Sequence, residues 1–263
     1  MAASYDETNF EKLYRVEDRH FWFRTRQAIV AALCQSFVPN LPANYRVLEI
    51  GCGTGQLLKT LQANCSGGQV FGLDLFWEGL AFARQRSTAS LIQGRAETMP
   101  FNEGQFDLIG MFDVLEHLEN DEAILHSVER MLKPGGKLIL TVPAGRRLWS
   151  TTDLVARHQR RYEPEELNQK LQNSGLQVEY LSEFMQALYP LARLRPKAPL
   201  LLEDMSAEEE RKSRRKFGQE LMVLPVVNEI AYLLLSTEVR KIRRYQPIRR
   251  GTSLIAVASR SQP

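Results

Sequence analysis

The stretch Val47-Leu48-Glu49-Ile50-Gly51-Cys52-Gly53-Thr54-Gly55 constrains this chain more than any other. A short apolar run ends in three alternating glycines, and Leu57, Leu58 and Leu61 then share one helical face. That pattern reads as a buried strand over Arg46–Ile50, a tight turn and a helix. A turn without Cβ atoms lets a ligand approach the backbone, and the free N–H groups at the helix start face it. The turn therefore predicts a cofactor site.

From Arg46 to Leu181 short apolar runs keep alternating with amphipathic stretches, as in a parallel sheet with crossover helices. Strands are predicted over Gln69–Leu73, Phe106–Phe112 and Lys137–Val142. A helix between the last two carries Ile124, Leu125, Val128, Met131 and Leu132 on one stripe, and Lys133-Pro134-Gly135-Gly136 stops it. Pro164 opens a further helix through Leu167 and Leu171, Gly175 follows its end, and Leu176, Val178 and Tyr180 alternate as a strand. The fold class is α/β. From Phe184 to about Arg250 the sequence turns helical and basic, and Thr252–Ser259 resumes as an apolar strand, so that region reads as an insertion before the last strand.

Upstream, Ile29, Val30, Leu33 and Phe37 suit a helix packed on the core, and His20-Phe21-Trp22-Phe23-Arg24 precedes it. Two readings stand for these rings: they bury the helix start, or they cover the active site. The divisions expected are an N-terminal helical segment (1–40), the core (41–183), the basic helical insertion (184–250) and the last strand with its tail (251–263).

Composition bounds the function. With 44% hydrophobic and 25% charged residues among 263, the chain is not of the disordered, collagen-like or disulfide-stapled kind. Cys34, Cys52 and Cys65 lack zinc or redox spacing and suit buried thiols in a reducing compartment. The start of the chain, with Asp6, Glu7 and Glu11, does not read as a signal peptide. The longest apolar runs, Ala28–Cys34 and Leu221–Val227, fall far short of the roughly twenty residues of a membrane-spanning helix. A cytoplasmic location follows as an expectation. The net charge is only +3, yet residues 191–250 hold 14 Lys and Arg against 8 Asp and Glu.

The ligand can be narrowed. Gln56 stands where a dinucleotide fingerprint needs its third glycine, and a Walker lysine is missing. Asp74, about twenty residues on at the end of the second strand, can accept from both hydroxyls of a ribose. Glu49 would repel a pyrophosphate and favour a cationic ligand. S-adenosylmethionine (SAM), with a sulfonium, an ammonium and a ribose without phosphate, meets all of these conditions.

Glu49 to Gly55, Asp74, Gly94-Arg95-Ala96-Glu97-Thr98-Met99-Pro100-Phe101, Phe106-Asp107-Leu108-Ile109 and Leu132-Lys133-Pro134-Gly135-Gly136 together resemble the ordered motifs of class I SAM-dependent methyltransferases. The resemblance implies a Rossmann-like seven-stranded sheet, helices on both faces and the last strand antiparallel. It also implies that Gly51, Gly53 and Gly55 approach the methionine part of SAM, Glu49 its ammonium and Asp74 its ribose. Leu75 would pack on the adenine, and Ala96 and Glu97 would meet its edge, although Arg95 stands where relatives often have aspartate. Phe112-Asp113-Val114-Leu115-Glu116-His117-Leu118 matches the segment under the reactive end of SAM, which adds Asp113 to the cofactor residues. His20–Phe23, Arg157–Tyr162 and Gly251–Val257 look like a bacterial subgroup acting on small molecules or lipid-linked precursors.

Methyl transfer is an in-line displacement at a carbon the sulfonium already activates, so the protein aligns partners and handles a proton, and no metal is expected. His117 is the leading general-base candidate, or else a cap of the next helix. His158 and Tyr162 are further catalytic candidates, and Arg160 or Arg161 suits an anionic acceptor, unless this stretch is a solvated turn before Pro164. His126 falls on a surface helix and reads as inert.

No Asp/Asn-Pro-Pro-aromatic sequence follows the fourth strand and no cysteine follows a proline there, so a nucleic-acid acceptor is not expected. Basic clusters flank the apolar runs Leu221–Val227 and Ile230–Leu235, so residues 211–244 suit peripheral contact with an anionic membrane or a lid over a hydrophobic acceptor. The competing readings are a helical pair packed on the sheet with a solvated basic face, and RNA contact through the same arginines. The resulting expectation is a SAM-dependent methyltransferase of a small-molecule acceptor, lipophilic or anionic. The alternatives are a noncatalytic SAM-binding protein and an RNA or protein methyltransferase.

Overall fold

In a computed structural model, which describes residues 9–195, 197–199 and 205–262, the apolar runs form one seven-stranded sheet. Residues 1–8, with Asp6 and Glu7, residues 196 and 200–204 of the insertion and Pro263 lie outside the described residues. The chain begins with helices α1 (Asn9–Val16) and α2 (Phe21–Phe37), then β1 (Arg46–Ile50), α3 (Gln56–Asn64), β2 (Gln69–Asp74), α4 (Trp77–Arg86), β3 (Ser90–Gln93) and β4 (Phe106–Phe112). It continues with α5 (Asp121–Met131), β5 (Leu132–Pro143), α6 (Thr151–Val155), α7 (Pro164–Asn173) and β6 (Leu176–Phe184). Helices α8 (Tyr189–Arg193), α9 (Ala207–Glu220) and α10 (Pro225–Arg243) then precede β7 (Ser253–Arg260).

The strand order is β3-β2-β1-β4-β5-β7-β6. The first five strands are parallel, and β7 runs antiparallel to both β5 and β6. The seven strands and the antiparallel last strand are as the resemblance implies, the helical insertion ahead of it is as the sequence pattern predicts, and β3 is a strand the pattern does not mark. All seven residues of β4 are buried, because a central parallel strand is covered on both faces and must be apolar throughout. Period-two alternation divides β1. Val47 joins a core with Leu33 of α2, Leu58 of α3 and Ile242 of α10, whereas Leu48 and Ile50 join one with Val128 of α5 and Leu167 of α7.

Two local expectations shift. Leu132 does not end the α5 stripe but opens β5, pairing with Phe106 before the register shifts between Phe106 and Leu108, so the Lys133–Gly136 turn lies within the strand. The apolar runs of the insertion are only partly core. Helix α10 buries Asn228, Leu235, Glu238 and Ile242, and leaves Val226, Val227, Ile230, Leu233 and Leu234 exposed. Asn228 ties α10 to the chain before α2, accepting from the Phe21 N–H at 2.6 Å and donating to the Arg19 carbonyl at 2.6 Å. No single helix among the described residues is long and apolar enough to cross a membrane.

Candidate active site

The carboxyl ends of β1, β2 and β4 open into a cavity of about 630 Å³, at the point where the strand order reverses between β1 and β4. Gly51 bends out of β1 at φ +72°, and a Cβ there would lie 2.3 Å from Cγ2 of Val114, so only glycine lets the turn pass under the segment after β4. The Gly53 N–H donates to Asp74 Oδ2 at 2.7 Å and the Phe76 N–H donates to Oδ1 at 2.9 Å, which aims this carboxylate across the loop. Burial raises the Asp74 pKa against these amide bonds. Glu49 is 3% exposed, and its Oε2 has no hydrogen-bond partner. Burial pushes its carboxyl well up, with the Arg26 charge opposing.

Glu49, Gly51, Gly53, Asp74, Leu75, Ala96, Glu97 and Asp113 all line the cavity. Gly55 does not. It heads α3 at φ +79°, and a Cβ there would fall 2.7 Å from Cα of Ala83, so its role is close packing of α3 against α4. Asp113 sits at φ +54° and ion-pairs with Arg26 of α2, whose guanidinium lies 4.7 Å from the Trp22 ring. Its carboxylate thus anchors the N-terminal helix while standing in the cavity wall. Phe21, Trp22 and Phe23 line the cavity too, so these rings both bury the start of α2 and face the site.

A second anchor has no signal in the sequence. Glu17, after α1, is buried with Arg86 of α4 against the glycine loop, accepting from Arg86 Nη1 at 2.5 Å and from the Thr54 hydroxyl. Its carbonyl accepts from Gln56 Nε2 at 2.6 Å. Residues 37 and 69 apart meet here, so only the tertiary fold reveals the cluster.

The opposite wall is polar. The turn Leu115–His117 is laced to the loop after α6 by Gln159, whose N–H donates to the Glu116 carbonyl at 2.9 Å and whose Nε2 donates to the His117 carbonyl at 2.8 Å. This sets the His117 and His158 rings edge to face, 4.9 Å apart, and both line the cavity. His158 Nδ1 lies 3.0 Å from Asp153 Oδ1, which also accepts from Arg161 Nε at 2.8 Å. Burial works against the Asp153 carboxylate, but the His158 hydrogen bond and the Arg161 charge outweigh it and hold its pKa down to about 2. Glu116, beside the two rings, is fully buried, and burial together with the nearby Asp113 pushes its carboxyl well up.

Tyr162 is a correction. It is 0% exposed and lies behind the wall, its hydroxyl donating to Asp121 Oδ2 at 2.8 Å, and burial and the Asp121 charge raise its pKa. It braces α5 and does not reach the cavity. Arg160 likewise turns to Asp121, at 3.0 Å, whereas Arg161 stays on the cavity wall. His126 is exposed, and the three cysteines are free and buried.

The sheet order, the glycine turn and the Asp74 cradle define a Rossmann-like methyltransferase domain, and residues 48–140 match the family described as "Methyltransferase domain". This domain is a class I SAM-dependent methyltransferase domain. It is 33% identical over 160 residues to the ubiquinone biosynthesis O-methyltransferase of Xanthomonas axonopodis pv. citri, an alignment covering 54% of this chain and 66% of that relative. The chain spans less than two thirds of the length of the curated relatives it matches.

Phosphoethanolamine N-methyltransferase 2 of Haemonchus contortus, solved with SAM, shares the fold at a TM-score of 0.54 and 20% identity, over 84% of this chain and 50% of that one. The cyclase SpnF does so at 0.55 and 19%, over 88% and 81%. SAM is the cofactor of the family, and the residues present fit it. The buried Glu49 Oε2 lacks a partner that an ammonium would supply, Asp74 presents both oxygens, and the turn has no Cβ in the way.

Proposed function

We propose that the protein transfers the methyl group of SAM to an oxygen of a small lipophilic acceptor drawn from an anionic membrane surface, working from the cytosol. The observation that carries this reading is the reach of the cavity. It extends from the glycine loop to an apolar wall of Leu188, Leu191, Phe217 and Leu221 on and around α8 and α9, and Leu191 is also 66% exposed, so one side chain belongs to both cavity and surface. The relative named for O-methylation in ubiquinone biosynthesis supports an oxygen acceptor.

SAM bound in the cavity would supply the methyl group, the acceptor O–C bond forming as the C–S bond breaks, and would leave as S-adenosylhomocysteine (SAH). The acceptor proton leaves toward the wall of Glu116, His117 and His158. Glu49, the glycine turn and Asp74 would hold SAM in line with the acceptor, which is the main contribution a protein makes to a displacement of this kind.

The test is incubation with methyl-labelled SAM and a cell extract, followed by separation into organic, aqueous and macromolecular fractions. Label in the organic fraction, lost with His117→Ala, is expected. Label only in protein or RNA would replace the acceptor class. No label anywhere, in protein that SAH still stabilises against heat, would leave a noncatalytic SAM-binding protein.

A further inference from the structure

Displacement at a sulfonium carbon needs no metal, yet the polar wall of the cavity is built as one would be for a metal. One donor atom each from Glu116, His117 and His158 lies within 4.8 Å of the other two, and all three residues line the cavity. Donors around a single ion, at bonds of about 2.0–2.2 Å, stand roughly 3–4.4 Å apart, so small side-chain movements would close the set.

Two independent features point to a cation rather than a chance cluster. The first is Glu116. It is 0% exposed and neither carboxylate oxygen has a hydrogen-bond partner, while His158 Nε2 stands 3.8 Å from Oε1. A buried carboxylate without donors must keep its proton or hold a cation, because desolvation of the bare charge is too costly. The second is the fixing of His158 from behind. Asp153, which accepts from Arg161 Nε at 2.8 Å and from the Ser150 N–H at 2.8 Å, lies 3.0 Å from Nδ1 of His158. With its proton on Nδ1, the imidazole presents the lone pair of Nε2 toward Glu116, which is the carboxylate–histidine arrangement that orients metal ligands.

We propose that Glu116, His117 and His158 form a site for a divalent transition metal beside the SAM cavity, with Asp153 as the residue that positions His158. Two imidazoles and one carboxylate suit Zn²⁺, Co²⁺ or Fe²⁺ over Mg²⁺ or Ca²⁺. Three protein ligands would leave coordination positions open, and the three share one cavity with the apolar wall of Leu188 and Leu191. An acceptor hydroxyl bound there would lose its proton to solvent near neutral pH, as metal-bound water does, in place of direct transfer to the three side chains. Only this last step rests on the methyltransferase reading, since the site itself is argued from its ligands.

The test is titration of the metal-free protein with Co²⁺, read by its visible d–d absorption, and with Zn²⁺ by calorimetry. One ion per chain is expected. Glu116→Gln and His158→Ala should each weaken Zn²⁺ binding at least tenfold, and Asp153→Asn by about 10–100-fold. The SAH-induced thermal shift should persist in all three, which shows that they fold. Should Glu116→Gln lose that shift, His158→Ala, whose side chain is 17% exposed, decides the outcome. Absence of saturable Co²⁺ binding, or Zn²⁺ affinity unchanged in His158→Ala, overturns the site. Metal bound by wild type but not by the variants, with no methylation in any extract, keeps the site and removes the acceptor reading alone.

Discussion

Two buried carboxylates carry opposite signs. Asp153 has a folded pKa of about 2 against an ordinary aspartate value of 3.8. Its contribution is therefore present above the unfolded value and lost as pH falls toward 2, and it amounts to about 2 kcal/mol in full. The stability gap between wild type and Asp153→Asn in urea unfolding should narrow by about 1 kcal/mol from pH 5 to pH 3, and a gap independent of pH would mean that the carboxylate is not specifically stabilised. Glu49 runs the other way. Burial raises its pKa, so its ionised form costs the ligand-free protein stability at neutral pH, and the charge becomes favourable when an ammonium arrives. Glu49→Gln should raise the melting temperature of the ligand-free protein while weakening SAH about tenfold, or roughly 1.4 kcal/mol. Equal SAH shifts in both proteins would remove the ammonium assignment.

Among the elements, α1 packs on α4 through Phe10 and Tyr14, whose rings lie 5.7 Å from Phe76 and 4.7 Å from Phe82, and Glu17, the residue after it, ties it to the glycine loop. Its buried pairing with Arg86 and its bond from Thr54 join the chain after α1 to the tip of the glycine loop, so cofactor affinity and order at the N-terminus are coupled. Breaking a buried pair from one side costs about 3–5 kcal/mol. Glu17→Ala should therefore speed amide exchange across Asn9–Val16 and weaken SAH, leaving exchange in β4 slow, and unchanged exchange in α1 would refute the anchor. The sequence could not announce this coupling, because glutamate, threonine and arginine so far apart have no local pattern. Strand β1, the glycine turn and the α3 face were legible because periodicity and glycine spacing are local properties. Tyr162 misleads for the converse reason. It sits four residues after His158 in one polar stretch, but residue type does not tell direction, and the chain turns His158 onto the cavity and Tyr162 behind it. The run Ile230–Leu235 leaves outward contact and packing on the sheet both open, and α10 turns Leu235 fully and Tyr232 partly inward while Ile230, Leu233 and Leu234 project outward.

At the scale of the whole molecule, that outward face makes an uneven surface. Met222, Leu224, Val226, Val227, Ile230, Leu233 and Leu234 are 54–73% exposed along one flank, and Arg211, Lys212, Arg215, Lys216, Arg240, Lys241, Arg243 and Arg244 are exposed at its two ends. An apolar face bordered by cations is complementary to an anionic bilayer, where each basic residue near the surface contributes about 1 kcal/mol and buried apolar area adds to it. Leu191, which also lines the cavity, stands 66% exposed, and Arg195 just beyond α8 pairs at 3.2 Å with Glu220, two residues before Met222, so the mouth of the cavity lies beside this flank and docking there would bring it to the lipid. The protein should co-sediment with vesicles containing anionic lipid, less with neutral ones, and less again as salt is raised, since the attraction is screened over about 10 Å at 0.1 M. The double substitution Leu233→Glu and Leu234→Glu touches two side chains already 63% and 58% exposed, so it should leave the fold and SAH affinity intact while lowering vesicle binding at least tenfold. Binding that survives the double substitution would assign the attraction to the basic residues alone. Methylation of a water-soluble acceptor would then become the stronger reading, because a purely electrostatic contact gives the cavity no route to a lipid's apolar body.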